Sequence, residues 1–248
     1  MPFLTVFIPA YNEEWNLPRS ISVIQAKLEE CRIDYEILVV NDGSTDRTGA
    51  IADELANSQP KIRAVHHARN AGIGAGFVTA VQHARGDWLI LIPSDLALAP
   101  EDIQRYLDAA PTSDLVVGLR SDRSDYTLAR RIVSWTNIKL VQTLFGIKVR
   151  QFQYISMYRM PFLRAIEIEY WQSAFFHAEI IIKGNALGKR ITEVEVKYAP
   201  RVSGRATGAK LKLIVLTVRD IFRLWLKWVL LGPVQASSKI HQPQRRTI

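Results

Sequence analysis

Cysteine is almost absent from this chain: Cys31 is the only one in 248 residues. That excludes an internal disulfide framework and a zinc site built on cysteines. Cys31 lies in a polar helical stretch with no base beside it in sequence, so it reads as a structural residue. Long uncharged runs are missing too, and none approaches the ~20 residues that a membrane-spanning helix needs. The opening residues Met1-Pro2-Phe3-Leu4-Thr5-Val6 have no basic stretch ahead of them and turn polar too soon for a secretory leader. A cytoplasmic location is therefore expected. Internal repeats are not visible. Acidic residues are in deficit, with 24 Asp and Glu against 32 Lys and Arg, a net charge of +8. Such a balance points to an anionic partner: nucleic acid, a phospholipid surface or a phosphorylated substrate. The cations of the first half are mostly single, dispersed among acidic residues, and fit no nucleic-acid-binding motif. Nucleic acid is set aside on that ground.

What is present is a globular composition, 48% hydrophobic and 23% charged, in a chain long enough to bury a substantial core. Short apolar runs at 5–8, 36–40, 62–65, 87–92 and 115–117 alternate with helical patterns at 14–30, 47–55, 74–84 and 101–109. Near-continuous apolar strands alternating with helices predict an α/β fold with a mostly parallel sheet covered on both faces. In such sheets ligands bind beyond the carboxyl ends of the strands. The second half reads differently: a basic helix at 128–144, an extended stretch at 151–157, an aromatic stretch at 170–176, a helix at 179–187, a strand at 191–198 and a basic Gly-rich loop at 200–208. A hydrophobic helix at 210–231 stops at Gly232-Pro233, residues that end helices. The expected organisation is a domain over 1–208 (halves 1–120 and 121–208), an amphipathic helix over 209–232 and a disordered tail over 233–248.

Four turns collect the chemistry. Pro9-Ala10-Tyr11-Asn12-Glu13, Asn41-Asp42-Gly43-Ser44-Thr45-Asp46 and Pro93-Ser94-Asp95-Leu96 each follow a strand, and Asn70-Ala71-Gly72-Ile73-Gly74-Ala75-Gly76 opens a helix. A tyrosine ring can stack on a nucleobase and a carboxylate can accept from a base N–H. Backbone amides at a Gly-rich helix start suit phosphate. The glycines do not follow the spacing of a dinucleotide-binding strand–helix unit, and they come after the third strand.

In their order and spacing these segments, with Gly86-Asp87-Trp88, resemble family 2 glycosyltransferases of the GT-A fold. Val116-Val117-Gly118-Leu119-Arg120, Arg130-Arg131-Ile132-Val133-Ser134 and Arg201-Val202-Ser203-Gly204-Arg205 are similar to the dolichyl- and polyprenyl-phosphate sugar synthases. The resemblance runs from about residue 4 to 210. It implies a nucleoside-diphosphate-sugar donor lined by Pro9, Tyr11, Glu13, Gly72 and Asp95, with Asp42 on the base. It implies further that Arg120, Arg130, Ser134 and Arg201 hold a lipid-phosphate acceptor. Guanidinium forks suit that task, since they grip phosphate oxygens two at a time.

The family's Asp-x-Asp, which holds Mg²⁺ or Mn²⁺ against the diphosphate, is altered here. Pro93 stands at the first Asp, Asp95 survives, and Ala97 occupies the position of a common Gln. Relatives also often carry an Asp where this chain has Gln151-Phe152-Gln153. Three readings stay open: Asp95 alone holds the metal with help from the diphosphate, basic residues such as Arg120 or Arg205 replace its charge, or the chain is a nucleotide-sugar-binding or regulatory protein. The expected reaction is an in-line displacement with inversion. A phosphate acceptor is already ionised and needs no base; a saccharide hydroxyl would need one, and Glu179 is the candidate.

The last helix carries Lys212, Arg219, Arg223 and Lys227 within about 80° of arc. Leu213, Ile214, Val218, Ile221, Trp225, Trp228 and Val229 lie opposite. That apolar arc is expected on an anionic membrane surface, as a peripheral attachment on the cytoplasmic face.

Overall fold

Strand β1 (Leu4–Ala10) is a run of apolar and β-branched side chains buried at every position but Pro9, as a strand covered on both faces must be. Its alternate side chains serve two cores. Phe7 joins Leu38 and Val40 in one cluster, while Val6 and Ile8 join Ile37 and Val39 in the other. A computed structural model describes residues 1–121, 127–152, 154–197 and 211–237 of the chain. β1 pairs with β2 (Tyr35–Asn41) and β4 (Trp88–Leu91), and β2 with β3 (Ile62–His66), all in parallel. β6 (Ser156–Arg159) runs antiparallel to both β4 and β5 (Leu115–Arg120), and β7 (Ile191–Val196) lies parallel to β5. The sheet order is β3-β2-β1-β4-β6-β5-β7. The carboxyl ends of β1, β2, β3, β4 and β5 therefore open on one edge, which bears out the mostly parallel α/β reading.

One face is covered by α1 (Leu17–Glu30), α2 (Thr48–Ser58) and α4 (Ile103–Ala109). Leu17, Ile21, Ile24 and Leu28 recur at helical spacing on α1 and are all buried, each contributing about 2 kcal/mol by removal from water. Pro18 sits in its first turn, where a missing N–H costs no helical bond. The other face carries α3 (Ile73–His83), α5 (Leu128–Phe145), α6 (Met160–Ala165), α7 (Phe176–Ala186) and α8 (Leu211–Leu231). Gly74 at the start of α3 abuts the carbonyl of Trp171 so closely that a Cβ there would overlap it. This contact brings the segment between α6 and α7 to the site edge of the sheet.

Two expectations change here. Residues 233–237 were expected in a disordered tail, but they form α9 (Pro233–Ser237), with Ala236 and Ser237 buried. The helix caps itself through a Ser237 hydroxyl bond to the Pro233 carbonyl at 2.7 Å. The apolar arc of α8 expected on a membrane is in large part its core face. Ile221 and Leu224 are fully buried, Trp225 and Trp228 pack against the same cluster, and Trp228 meets Phe145 of α5 edge-on at 5.3 Å. Among the described residues no helix is long and apolar enough to cross a membrane.

Candidate active site

The turns after β1 and β2 are built as one unit. Asn12 adopts a left-handed φ of 56°, a conformation Asn tolerates well. From there its N–H reaches Ser44 Oγ at 3.0 Å and its Oδ1 accepts Thr45 N–H at 2.9 Å. Glu13 N–H donates to Thr48 Oγ1 at 2.8 Å, and Arg47 N–H to Glu14 Oε2 at 3.0 Å. Gly43 has φ 68°, and a Cβ there would lie 2.5 Å from the Arg69 backbone. Glycine is needed because the loop from β3 to α3 crosses directly over this turn. Tyr11 stays 46% exposed at the edge, so its ring is open to a planar partner. Pro9 and Glu13 are half-buried beside it.

Asp42 is buried, and its carboxylate is occupied by the chain. Oδ1 accepts from Ala71 N–H at 2.9 Å and lies 2.7 Å from His67 Nδ1, and Oδ2 accepts from Gly72 N–H at 2.8 Å. His67 Nε2 in turn meets Thr79 Oγ1 of α3 at 2.8 Å. Asp42 thus holds the loop that delivers Gly72 and the N-terminus of α3 to the edge. His67 did not stand out in the sequence, and Asn12 appeared there only as a member of the turn after β1.

Beyond β4, Leu96 N–H closes a turn on the Pro93 carbonyl at 3.1 Å, and Asp95 Oδ1 accepts Ala97 N–H at 3.2 Å. Asp95 is half-buried, whereas Ala97 is buried. Among the described residues no cluster of three His, Cys, Asp or Glu could hold a metal ion. The donor set fits a divalent cation only in the manner of one carboxylate completed by substrate phosphates and water.

Arg120 ends β5 on the same edge, 6% exposed. Its backbone is clamped by the Gln151 amide, which accepts Arg120 N–H at 3.1 Å and donates to the Arg120 carbonyl at 3.2 Å. Gln151 therefore braces the end of β5. Ser134 is buried on α5. Position 130 lies in the same helix, but its side chain, like Arg201, Arg205 and Gln153, falls outside the described residues.

Glu179, the candidate base of the sequence reading, lies inside an ion-pair network and not on the open edge of the sheet. It is 0% exposed, its oxygens accept the N–H groups of Glu169 and Tyr170 at 2.9 and 3.0 Å, and Lys183 Nζ lies 2.7 Å away. Burial pushes the Glu179 carboxyl up. Burial lowers Lys183 too, but Glu179 and Glu169 outweigh it and hold its ammonium above the usual range. Glu169 continues the chain of charge to Lys227 of α8, both oxygens at 2.9 Å. Burial raises the Glu169 carboxyl, yet Lys183 and Lys227 outweigh it and the net shift is downward. These four groups fasten the segment between α6 and α7 to two helices.

The family model described as "Glycosyl transferase family 2" matches residues 5–182. The undecaprenyl-phosphate 4-deoxy-4-formamido-L-arabinose transferase of Edwardsiella ictaluri is 32% identical over 217 residues, which are 86% of this chain and 65% of that protein. The chain thus spans slightly less than two thirds of that relative. The undecaprenyl-phosphate mannosyltransferase of Micrococcus luteus is 29% identical over 216 residues, 83% of this chain and 87% of that one. Among solved structures, glucosyl-3-phosphoglycerate synthase from Mycobacterium tuberculosis in complex with Mn²⁺, uridine diphosphate and phosphoglyceric acid has the same fold. It superposes with a TM-score of 0.66 at 19% identity, covering 91% of this chain and 77% of that one.

Proposed function

Because the chain belongs to glycosyl transferase family 2, we propose that it moves a sugar from a nucleoside diphosphate to a polyprenyl phosphate. The observation that carries this reading is the meeting of Tyr11, the Asp42-held loop, Asp95 and Arg120 at one edge of the sheet. The two kinds of relative named above are both undecaprenyl-phosphate sugar transferases by name, which supports a polyprenyl-phosphate acceptor.

Tyr11 stacks on the base, and Pro9, Glu13 and Gly72 shape the nucleoside pocket. Asp42 acts through the loop, which presents the N-terminus of α3 to the diphosphate. Arg120, with Arg130, Ser134 and Arg201, takes the acceptor phosphate. An acceptor oxygen attacks the anomeric carbon as the bond to the leaving phosphate oxygen breaks, so a single displacement inverts the configuration. No proton has to be removed from an ionised phosphate. The burial of Glu179 supports a phosphate over a hydroxyl acceptor, since it withdraws the base that a hydroxyl would require. Asp95 is the residue that would hold Mg²⁺ or Mn²⁺, which supplies charge neutralisation on the leaving diphosphate. The remaining catalytic power is positioning of two anions by fixed donors. Such an acceptor confines the work to a bilayer surface, with the chain attached peripherally on the cytoplasmic face.

The test is incubation with UDP- and GDP-sugars, Mn²⁺ and undecaprenyl phosphate. The expected product is a lipid-linked sugar of inverted anomeric configuration with one equivalent of nucleoside diphosphate released. Absence of nucleotide release from every donor would overturn the proposal.

A further inference from the structure

Two consecutive histidines at the end of β3 face two consecutive polar residues at the end of β2. His66 is the register partner of Asn41 in the parallel pair, and the His67 N–H continues the ladder to the Asn41 carbonyl at 2.9 Å. Neighbouring residues of a strand point to opposite faces. His66 therefore serves the α2 layer, where its Nε2 lies 3.0 Å from Asp53 Oδ1. His67 serves the α3 layer, where its Nε2 meets Thr79 Oγ1 at 2.8 Å.

The partners dictate a different tautomer for each ring. Ser44 N–H donates to Asn41 Oδ1 at 3.1 Å, which turns the amide so that its Nδ2 faces His66 Nδ1 at 3.0 Å. An amide nitrogen can only donate, so His66 Nδ1 accepts and the ring proton sits on Nε2, toward Asp53. Gly49 of α2 leaves room for this contact. A Cβ there would lie 3.0 Å from Asn41 Nδ2 and 3.7 Å from His66 Nδ1. On the second ring the order is reversed. Asp42 Oδ1 already accepts from Ala71 N–H, and a carboxylate offers only lone pairs to His67 Nδ1, 2.7 Å away. His67 therefore carries its proton on Nδ1.

We infer that His66 and His67 are positioning residues for the nucleotide, each clamping one of the two segments that hold it. His66 acts through Asn41 on Ser44, whose Oγ accepts the Asn12 N–H at 3.0 Å, and so sets the turn that carries Tyr11. His67 acts through Asp42 on the Ala71 and Gly72 amides, and so sets the start of α3 under the diphosphate. The inference rests on the proposed nucleotide-sugar donor. It goes further in giving the base end and the phosphate end separate supports on adjacent residues.

The experiment uses the full chain and its His66→Phe, His66→Asn, His67→Phe and His67→Asn variants. Phenylalanine keeps a ring and removes both nitrogens. Asparagine places its amide near the former Nδ1, accepting from Asn41 at position 66 and donating to Asp42 at position 67. Calorimetry gives the affinity for whichever of UDP and GDP the native chain binds, and for the matching nucleoside monophosphate. Thermal unfolding shows that each variant is folded. His67→Phe should weaken diphosphate binding by about tenfold, as for a lost hydrogen bond to a charged group, and monophosphate binding by much less. His66→Phe should weaken both nucleotides alike, by about threefold, as for a neutral hydrogen bond. Each asparagine variant should recover most of the loss. In long-range proton–nitrogen correlation spectra of the native chain, His66 should be protonated at Nε2 alone and His67 at Nδ1. A proton on His66 Nδ1, or none on His67 Nδ1, would overturn the inference and leave the donor reading intact. So would unchanged diphosphate affinity in both phenylalanine variants, or losses that asparagine does not recover. A native chain that binds neither UDP nor GDP refutes the donor reading, and the positioning role falls with it.

Discussion

Gly72 donates its backbone N–H to Oδ2 of Asp42 at 2.8 Å, which pins the turn after β2 to the start of α3. Gly72 has φ 92°, a value other residues rarely adopt. The neighbouring Ala71 amide fills the other carboxylate oxygen at 2.9 Å. The loop over the nucleotide edge is therefore held by one side chain and by the permissive backbone of one glycine.

Asp42→Ala should free that loop and leave two amides without their acceptor. We expect nucleoside-diphosphate binding to weaken by about 1–3 kcal/mol, the range for removing a hydrogen-bond partner that shapes the site. Asp42→Asn keeps one acceptor and should fall between the two. Titration calorimetry on folded protein decides this, and unchanged affinity in the alanine variant would remove Asp42 from the donor site altogether.

Metal dependence should be shallow, because Asp95 is the only carboxylate in the turn after β4 and Pro93 and Ala97 supply no ligand. Pro93→Asp adds a second hard oxygen donor beside it. Mn²⁺ should then bind more tightly in the presence of nucleotide, read by calorimetry with and without UDP or GDP. If the native protein already saturates at micromolar Mn²⁺ and loses all activity with a chelator, the turn binds metal better than its ligands suggest.

Glu179 makes a different kind of prediction. Replacing it by Ala leaves Lys183 buried with one charged partner, Glu169, and the Glu167 carbonyl, and breaking a buried ion pair costs about 3–5 kcal/mol. Urea unfolding should register that loss. Activity per folded molecule should stay within a few-fold of native, since both Glu179 oxygens are taken up by the chain itself. A Glu179→Gln protein that is stable yet inert would restore a catalytic role.

The first half of the fold was legible because each buried strand ends in turn residues: Asn41-Asp42-Gly43 after β2 and Pro93-Ser94 after β4 both announced a strand end and the site together. The sequence did not show how the carboxylates are used. Asp42 looks like a ligand in one dimension because its partners, His67 and Gly72, lie 25 and 30 residues on. Glu179 looked available because burial is a tertiary property, although Lys183 one helical turn later was a visible hint of a pair. β6 was read two residues or more out of place, and α6, one turn and a half opened by Met160-Pro161, has too short a period to detect. On α8 the hydrophobic pattern gave a helix but not its orientation. Apolar residues occupy both the inner and outer arcs, and a charged residue, Asp220, is 1% exposed on the inner one. Only the packing of Ile221 and Leu224 separates core from outer face.

His177 sets the pH response of the α7 face. Its ring stacks on Phe176 at 3.9 Å and meets Phe77 at 6.4 Å, and its buried Nδ1 has no hydrogen-bond partner. Burial lowers its pKa from 6.5 to about 4. The native state therefore refuses a proton that the unfolded chain accepts. Above pH 6.5 both states are neutral and stability is unaffected. As pH falls from 6.5 towards 4 the unfolded state gains a proton first, so stability declines across that window and levels off below it. The total loss is about 1–3 kcal/mol, the lower end applying because the ring retains some contact with solvent. Glu169, whose carboxyl is held low, acts in a separate window: its contribution is present above the ordinary carboxylate range and is lost only in stronger acid. The two are told apart by urea midpoints at pH 7, 6, 5 and 4 for the native chain and for His177→Phe. The phenylalanine variant should be flat from pH 7 to 5, where the native chain already slopes. Parallel curves for the two proteins would show that His177 titrates normally and that the acid response begins elsewhere.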